Sequence, residues 1–188
     1  ASYSDRKDIA YHFEILDDKE VNAFALPGGY IYVFKGLVDK TKSDDEIAGV
    51  LAHEIGHVAA RHVAKRVHGS MGLNALAILL ATAQGDPESK QQAYQGLVEL
   101  MLEYSREDEL EADRLAVKYM TLSKYNPEGM ITFLEKLRKI DFEKPIERPH
   151  TYKTHPYTAD RIKAVKQQIN GKIDFEDYIN SVTENPDK

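Results

Sequence analysis

The chain of 188 residues contains no cysteine. Neither a disulfide framework nor a thiolate metal site can therefore form, and any metal ligands must be histidines or carboxylates. The absence of cysteine is compatible with oxidising and with reducing compartments. Long apolar runs are also missing, since the most apolar stretch, residues 73–83, is far shorter than the ~20 residues of a spanning helix. We therefore predict no transmembrane segment, and a core or lid helix at 73–83.

The chain also lacks an excess of positive charge. Lys and Arg number 25 against 31 Asp and Glu, and the net charge is −6. No stripe of basic residues is visible, which argues against a nucleic-acid surface. The length, the 42% hydrophobic content and the lack of repeats predict a single domain over residues 1–188. The chain starts at Ala1 without a signal peptide, as expected of a mature or trimmed form.

The most informative motif is His53-Glu54-Ile55-Gly56-His57. Histidines at i and i+4 share one helix face, so both imidazoles can reach one metal ion. The glutamate between them can take a proton from a water at the open metal position. Ser43 and Glu46 upstream have the spacing of a capping box, and apolar residues follow at helical intervals (Ile47, Val50, Leu51, Ile55, Val58). The alternative is two helix histidines beside a core.

A third ligand is needed, and the known extensions of the motif can be tested. The metzincin pattern requires glycine at position 60 and histidine at position 63, whereas this chain has Ala60 and Val63. That class is excluded. His62 has the wrong spacing for a ligand and is expected at the surface or behind one. The remaining possibility is a glutamate on a separate downstream helix.

Carboxylates are dense in residues 104–113. Glu109 and Asp113 are one helical turn apart, so a ligand and a carboxylate that accepts the free ring N–H of a metal-binding histidine could share a face. Glu107 and Glu111 are expected to face elsewhere. A solvated acidic helix face is the alternative. The motif upstream favours the metal role.

Secondary-structure signals predict strands first and helices afterwards. Short β-branched or aromatic runs predict strands at Tyr11–Leu16, Glu20–Leu26 and Tyr30–Phe34. Gly28 and Gly29 could form a hairpin turn or allow a substrate backbone to approach closely. Helices are predicted at about 44–68, 72–83, 90–122, 127–140 and 156–170, with a turn at 85–89. The predicted class is α+β, mostly α, with a small sheet against the motif helix.

Three blocks together carry a family resemblance: residues 22–33, residues 53–57 and residues 109–113. In this order they resemble the gluzincin zinc peptidase family that includes HtpX, the CAAX prenyl protease type I enzymes and the BepA proteases. The resemblance spans roughly residues 10–170. It implies a zincin-like domain with one Zn²⁺ per chain. By resemblance His53, His57 and Glu109 are the zinc ligands, Glu54 is the catalytic base and Asp113 orients a zinc histidine.

The resemblance is closest to the soluble, periplasmic BepA-type branch. There a histidine from a plug-like loop can occupy the open zinc position, and an arginine further on faces the substrate. Residues 154–161 resemble that block, which implies these roles for His155 and Arg161. Residues 144–154 contain Pro145 and Pro149 without helical periodicity and predict the loop. The alternative is a helix boundary with Pro156 at the first helical position.

The resulting prediction is a zinc metalloendopeptidase that hydrolyses peptide bonds in polypeptides, including misfolded or envelope proteins, and is latent through a histidine plug. The alternative is a plugged zinc domain that acts mainly as a chaperone or assembly factor. A third hypothesis, a metal-free helical interaction domain, requires protein without stoichiometric zinc. The resemblance also implies the bacterial periplasm or cell envelope, and partners in envelope assembly.

Overall fold

The computed structural model describes residues 1–68, 104–143, 154–171 and 179–180. Within these stretches run strands β1 (His12–Leu16), β2 (Ala23–Leu26) and β3 (Tyr30–Phe34), and helices α1 (Lys35–Val38), α2 (Asp44–Ala60), α3 (His62–His68), α4 (Arg106–Leu122), α5 (Glu128–Glu143) and α6 (Thr158–Asn170). The predicted helix at 72–83 and the predicted turn at 85–89 lie outside the described residues. The predicted loop at 144–154 does too, except for its last residue.

The strands form one sheet in the order β1-β3-β2. β1 runs parallel to β3, and β2 pairs with β3 in an antiparallel hairpin in which Leu26 faces Tyr30. Gly28 and Gly29 form the hairpin turn with φ of 93° and 94°, where a side chain would be strained. A Cβ at Gly29 would also lie 2.2 Å from the Ala10 carbonyl oxygen. The hairpin-turn alternative is therefore confirmed.

Helix α2 carries the motif and is the centre of the fold. Ser43 accepts a hydrogen bond from the Glu46 amide, as the capping pattern predicts. The Glu46 carboxylate, however, accepts from the Lys42 amide. α2 packs against β2, β3, α4 and α5. Its buried apolar residues join those of the sheet and of the later helices in one core (Val50, Ala52, Ile55, Val58).

Two predicted helices are shorter than expected. The prediction of one helix over 44–68 is wrong, because Arg61 adopts the left-handed conformation (φ 60°) and separates α2 from α3. The prediction over 90–122 is wrong near Ser105, which is extended and begins α4 through a reciprocal capping box with Asp108. The sequence signal for this second boundary is the S-x-x-D spacing.

Helices α5 and α6 pack on α2 and on α4, respectively, and on each other. The side chain of Asn126 accepts from the Glu128 amide at the start of α5, and Gly171 (φ 69°) ends α6 as predicted. α6 begins at Thr158, so Pro156 is not at its first position. In the described part of the chain, no helix has the length and apolarity to cross a membrane. The predicted α+β class with a small sheet on the motif helix is confirmed.

Candidate metal centre

The two motif histidines lie on the face of α2 that points toward α4. Their Nε2 atoms are 2.9 Å apart, and both residues are buried. Gly56, between them, allows this approach of α2 to α4, since a Cβ there would lie 2.8 Å from the Ala112 carbonyl oxygen. Two imidazole nitrogens at this distance need a proton or a cation between them. The motif therefore presents a cation site to α4.

Glu109 on α4 faces the histidine pair and is fully buried. Its Oε1 lies 3.2 Å from Nε2 of His57, and its Oε2 lies 3.5 Å from Nε2 of His53. The capping box at Ser105 sets the start of α4 so that Glu109 falls one turn inside the helix, on its buried face. The structure thus brings the predicted third ligand to the motif.

His155 completes the group from the segment before α6. Its Nδ1 lies 3.0 Å from Oε1 of Glu109 and 3.3 Å from Nε2 of His53. Its Nε2 lies 3.2 Å from the carbonyl oxygen of Ala23 on β2, to which it can donate. His155 is therefore fixed between the metal position and the sheet.

The four side chains fit one tetrahedral metal ion. One ligand atom from each of His53, His57, Glu109 and His155 lies within 4.8 Å of the other three. A tetrahedral zinc with ligands at about 2.0–2.2 Å has neighbouring ligand atoms about 3.3–3.6 Å apart. The separations given above approach that range. Nitrogen and carboxylate ligands in this number are a set that zinc prefers.

Glu54 lies beside this group and is buried at 2% exposure. Its Oε1 is 3.6 Å from Nε2 of His155, and its Oε2 has no hydrogen-bond partner among the described residues. Burial raises the pKa of this carboxyl, while the neighbouring histidines His155 and His53 oppose the shift. A buried carboxylate with a free oxygen and a raised pKa is suited to accept and release a proton.

Asp113 and Arg161 form a buried ion pair behind the ligands. Asp113 Oδ1 lies 2.8 Å from Nδ1 of His53, and the guanidinium of Arg161 contacts both carboxylate oxygens of Asp113 at 2.8 Å. Nη1 of Arg161 is also 2.8 Å from Oε2 of Glu109. Asp113 thus holds the ring nitrogen of His53 that faces away from the metal position.

These contacts set the protonation of the ligands. Burial opposes the charged form of His53, and so does Arg161, but Glu109 and Asp113 outweigh both and raise its pKa to about 9. Burial alone would raise the pKa of Glu109, yet Arg161 and the histidines hold it well below its usual range. Burial and the positive charge of His53 lower the pKa of His57. The site therefore keeps Glu109 ionised and ready to bind a cation.

Comparison with known proteins decides the family. The model of Peptidase family M48 matches residues 1–169, most of the chain. The chain belongs to peptidase family M48. This confirms the predicted family.

Several M48 relatives are similar over most of this chain. Metalloprotease LoiP of Escherichia coli is 32% identical over 84% of this chain and 62% of LoiP. The Beta-barrel assembly-enhancing protease of Escherichia coli is 27% identical over 90% of this chain and 36% of that protein. Mitochondrial metalloendopeptidase OMA1 of Arabidopsis thaliana is 33% identical over 89% of this chain and 33% of OMA1. The chain thus spans about a third to three fifths of these relatives.

The predicted site residues of this M48 chain all lie together and are buried: His53, Glu54, His57, Glu109, Asp113, His155 and Arg161. Their individual roles stay predictions. The structure places Arg161 in contact with Asp113 and Glu109. Glu111, which is predicted to face away from the ligands, lies 3.3 Å from His62.

Tyr104 belongs to the M48 site but has no counterpart in the sequence prediction. Its ring stacks on that of His57 with centroids 3.7 Å apart, and Arg66 lies over it at 5.7 Å. Its hydroxyl is buried without a hydrogen-bond partner in the described part of the chain. Burial raises the pKa of this hydroxyl well above its usual value. The only sequence signal is its place directly before the Ser105 capping box.

Proposed function

We propose that this M48 domain is a zinc-dependent metalloendopeptidase in which His53, His57 and Glu109 hold one Zn²⁺. The observation that carries the proposal is the convergence of their ligand atoms beside the buried carboxylate of Glu54. A purely structural zinc site has no need for a buried carboxylate with a free oxygen. That carboxylate favours hydrolysis over a structural role.

In the proposed mechanism, zinc when bound supplies a Lewis acid that polarises the scissile carbonyl and makes a water acidic. Glu54 takes a proton from the attacking water at its Oε2 and delivers it to the leaving amine. Asp113 accepts the Nδ1–H of His53 and so keeps Nε2 available to the metal. Arg161 balances the charge of Asp113 and Glu109. Its additional, predicted role is to stabilise the oxyanion electrostatically.

We propose that an extended substrate binds at the outer edge of β2, which pairs with no further strand in the part of the chain that the structure describes. The Phe34 amide donates to the Asn22 carbonyl oxygen, so these two residues form a hydrogen-bonded pair. Hydrogen-bonded and non-hydrogen-bonded pairs alternate along an antiparallel hairpin. Ala23 and Ala25 therefore lie in non-hydrogen-bonded pairs, and their backbone groups point away from β3. A substrate strand can pair there, with affinity from its backbone and little sequence preference. A cavity of about 230 Å³ adjoins this edge and is lined by Ala25, Leu26, His57 and Val63, among others. It could accept an apolar substrate side chain.

His155 supports the proposal that the resting enzyme is latent. It approaches the metal position with Nδ1 and the Ala23 carbonyl with Nε2. One side chain would therefore occupy the fourth zinc position and one hydrogen-bonding site of the substrate edge. The same observation favours the alternative function, a plugged zinc domain that works mainly as a chaperone or assembly factor.

The wider setting is also a proposal. The names of several relatives describe proteases that enhance β-barrel assembly. By analogy with these relatives, we propose that this protein is located in the bacterial periplasm or cell envelope and has partners in envelope assembly. Another relative is named as mitochondrial, so the name alone does not fix a compartment. We further propose that residues 1–188 fold as a single domain around α2, whose core includes residues of the sheet and of α4, α5 and α6.

The experiment that tests the proposed function combines metal analysis with casein cleavage, for wild type and Glu54→Gln. About one zinc per chain is expected in both proteins, because Glu54 is not a ligand. Activity should fall by a factor of about 10² or more in the variant, the usual effect of losing a general base. Equal cleavage by the two proteins would refute the assigned mechanism. Zinc in both with cleavage in neither would favour the assembly factor.

A further inference from the structure

We infer that His62 is a positioning residue that holds the ligand His57 and connects it to carboxylates on α4. The inference rests on the proposed zinc site. The side chain of His62 is fully buried, and its Nδ1 lies 2.8 Å from Nδ1 of His57. On its other side, Nε2 lies 3.3 Å from Oε2 of Glu111 and 3.5 Å from Oδ1 of Asp108. His62 therefore bridges a metal ligand and an acidic pair.

The break in the helix at Arg61 produces this contact. In a continuous helix, His62 would lie about 140° around the axis from His57, at ~100° per residue, and would face another direction. Arg61 instead adopts the left-handed conformation, which is energetically unfavourable for residues other than glycine. The next helix, α3, starts at His62. An unfavourable backbone conformation that brings a buried imidazole back to a ligand points to a role at the site.

Metal binding by His57 determines which ring nitrogens of His57 and His62 donate a hydrogen bond and which accept one. Nε2 of His57 faces Glu109 and His53, so Nδ1 must carry the ring proton when His57 binds metal. That N–H donates to Nδ1 of His62, which consequently carries its own proton on Nε2. This second N–H faces the acceptors Glu111 and Asp108. Each ring nitrogen on the path then has at least one partner of the matching hydrogen-bond role.

The two motif histidines are thus oriented by different means. His53 donates directly to Asp113, whereas His57 reaches its carboxylates through a second imidazole. Each of the two acceptors also contacts a cation, since Arg66 lies 3.5 Å from Asp108 and Arg114 lies 3.7 Å from Glu111. Because outer hydrogen bonds fix the orientation and basicity of a metal-binding imidazole, loss of His62 should weaken the site.

The test is zinc affinity, measured by competition with a chromogenic chelator. His62→Ala should bind zinc about 10- to 100-fold more weakly, the usual effect of removing such a partner. His62→Gln should recover most of the affinity, because its amide can both accept and donate. His68→Ala, an exposed histidine on the same helix, is the matched control. In ¹⁵N spectra of the zinc-loaded protein, the protected Nδ1–H of His57 should disappear in His62→Ala.

Glu111→Ala provides an independent arm if His62→Ala does not fold. It should cause a several-fold loss of zinc affinity, smaller because Asp108 remains, while Glu107→Ala on the exposed side of α4 should cause none. Wild-type affinity in His62→Ala, or equal affinity in the two α4 variants, would overturn the inference. So would equally weak binding by His62→Gln and His62→Ala. A wild-type protein that binds no zinc would instead refute the proposed function itself.

Discussion

At the scale of single residues, the site shows why neighbouring carboxylates on one helix have different roles. Glu109 faces the histidine nitrogens, Asp113 lies behind His53, and Glu107 is exposed. One turn of α4 separates the first two, so both share the buried face. The spacing in the sequence predicts this arrangement, but the contact of Glu111 with His62 depends on the path of α3 and could not be predicted.

The first prediction separates Glu109 from Asp113. Asp113→Ala should weaken zinc affinity about 10- to 100-fold, because His53 loses the acceptor that orients it. The fold should survive, since Arg161 keeps its contact with Glu109. Glu109→Ala removes a ligand and should leave the site nearly without zinc. The measurement is zinc content after dialysis against a graded chelator series, with circular dichroism as the folding control. Equal losses in the two variants would contradict the assignment.

At the scale of elements, the sequence predicts existence better than boundaries. The capping pattern at Ser43 and the periodicity of α2 correctly indicate a helix with both histidines on one face. The end of α2 could not be predicted, because Arg61 has no intrinsic preference for its left-handed conformation. The position of this helix end depends instead on the tertiary contacts of α3. The short helix α1, directly after β3, likewise lacks a periodic signal of its own.

A second prediction concerns the packing of α2 on α4. Gly56→Ala would normally stabilise a helix by about 0.5–1 kcal/mol. Here the new Cβ would lie 2.8 Å from the Ala112 carbonyl oxygen, so the helices must separate. We expect the free energy of unfolding to fall by about 1–3 kcal/mol, as in other overpacked sites, with a parallel loss of zinc affinity. Urea unfolding of the metal-free protein measures it, and a stabilised variant would show that the approach is not required.

At the scale of the whole molecule, the site is assembled from α2, α4 and the segment before α6. Their residues are far apart in sequence, yet a known motif order identifies them as members of one site. Periodicity alone leaves the acidic segment of α4 undecided, and the alignment of Glu109 with the motif depends on close packing at Gly56. The place of His155 between the metal position and Ala23 depends on tertiary structure and follows from no local pattern.

The third prediction concerns latency. His155→Ala removes the side chain that contacts both the metal position and the Ala23 carbonyl. Basal cleavage of an unstructured substrate should rise, because activity scales with the fraction of molecules whose site is open. Initial rates at saturating zinc measure this, with His12→Ala, an exposed histidine on β1, as the control. An unchanged rate would argue against a plug, and a large loss would indicate that His155 stabilises the transition state.

The measurement that tests the account most directly is a crystal structure of the zinc-loaded protein with anomalous diffraction at the zinc edge. The account predicts one anomalous peak per chain, about 2.0–2.2 Å from Nε2 of His53, Nε2 of His57 and a carboxylate oxygen of Glu109. In the resting protein Nδ1 of His155 should be the fourth ligand. A peak away from these residues, or a zinc ion that Glu109 does not bind, would contradict the account.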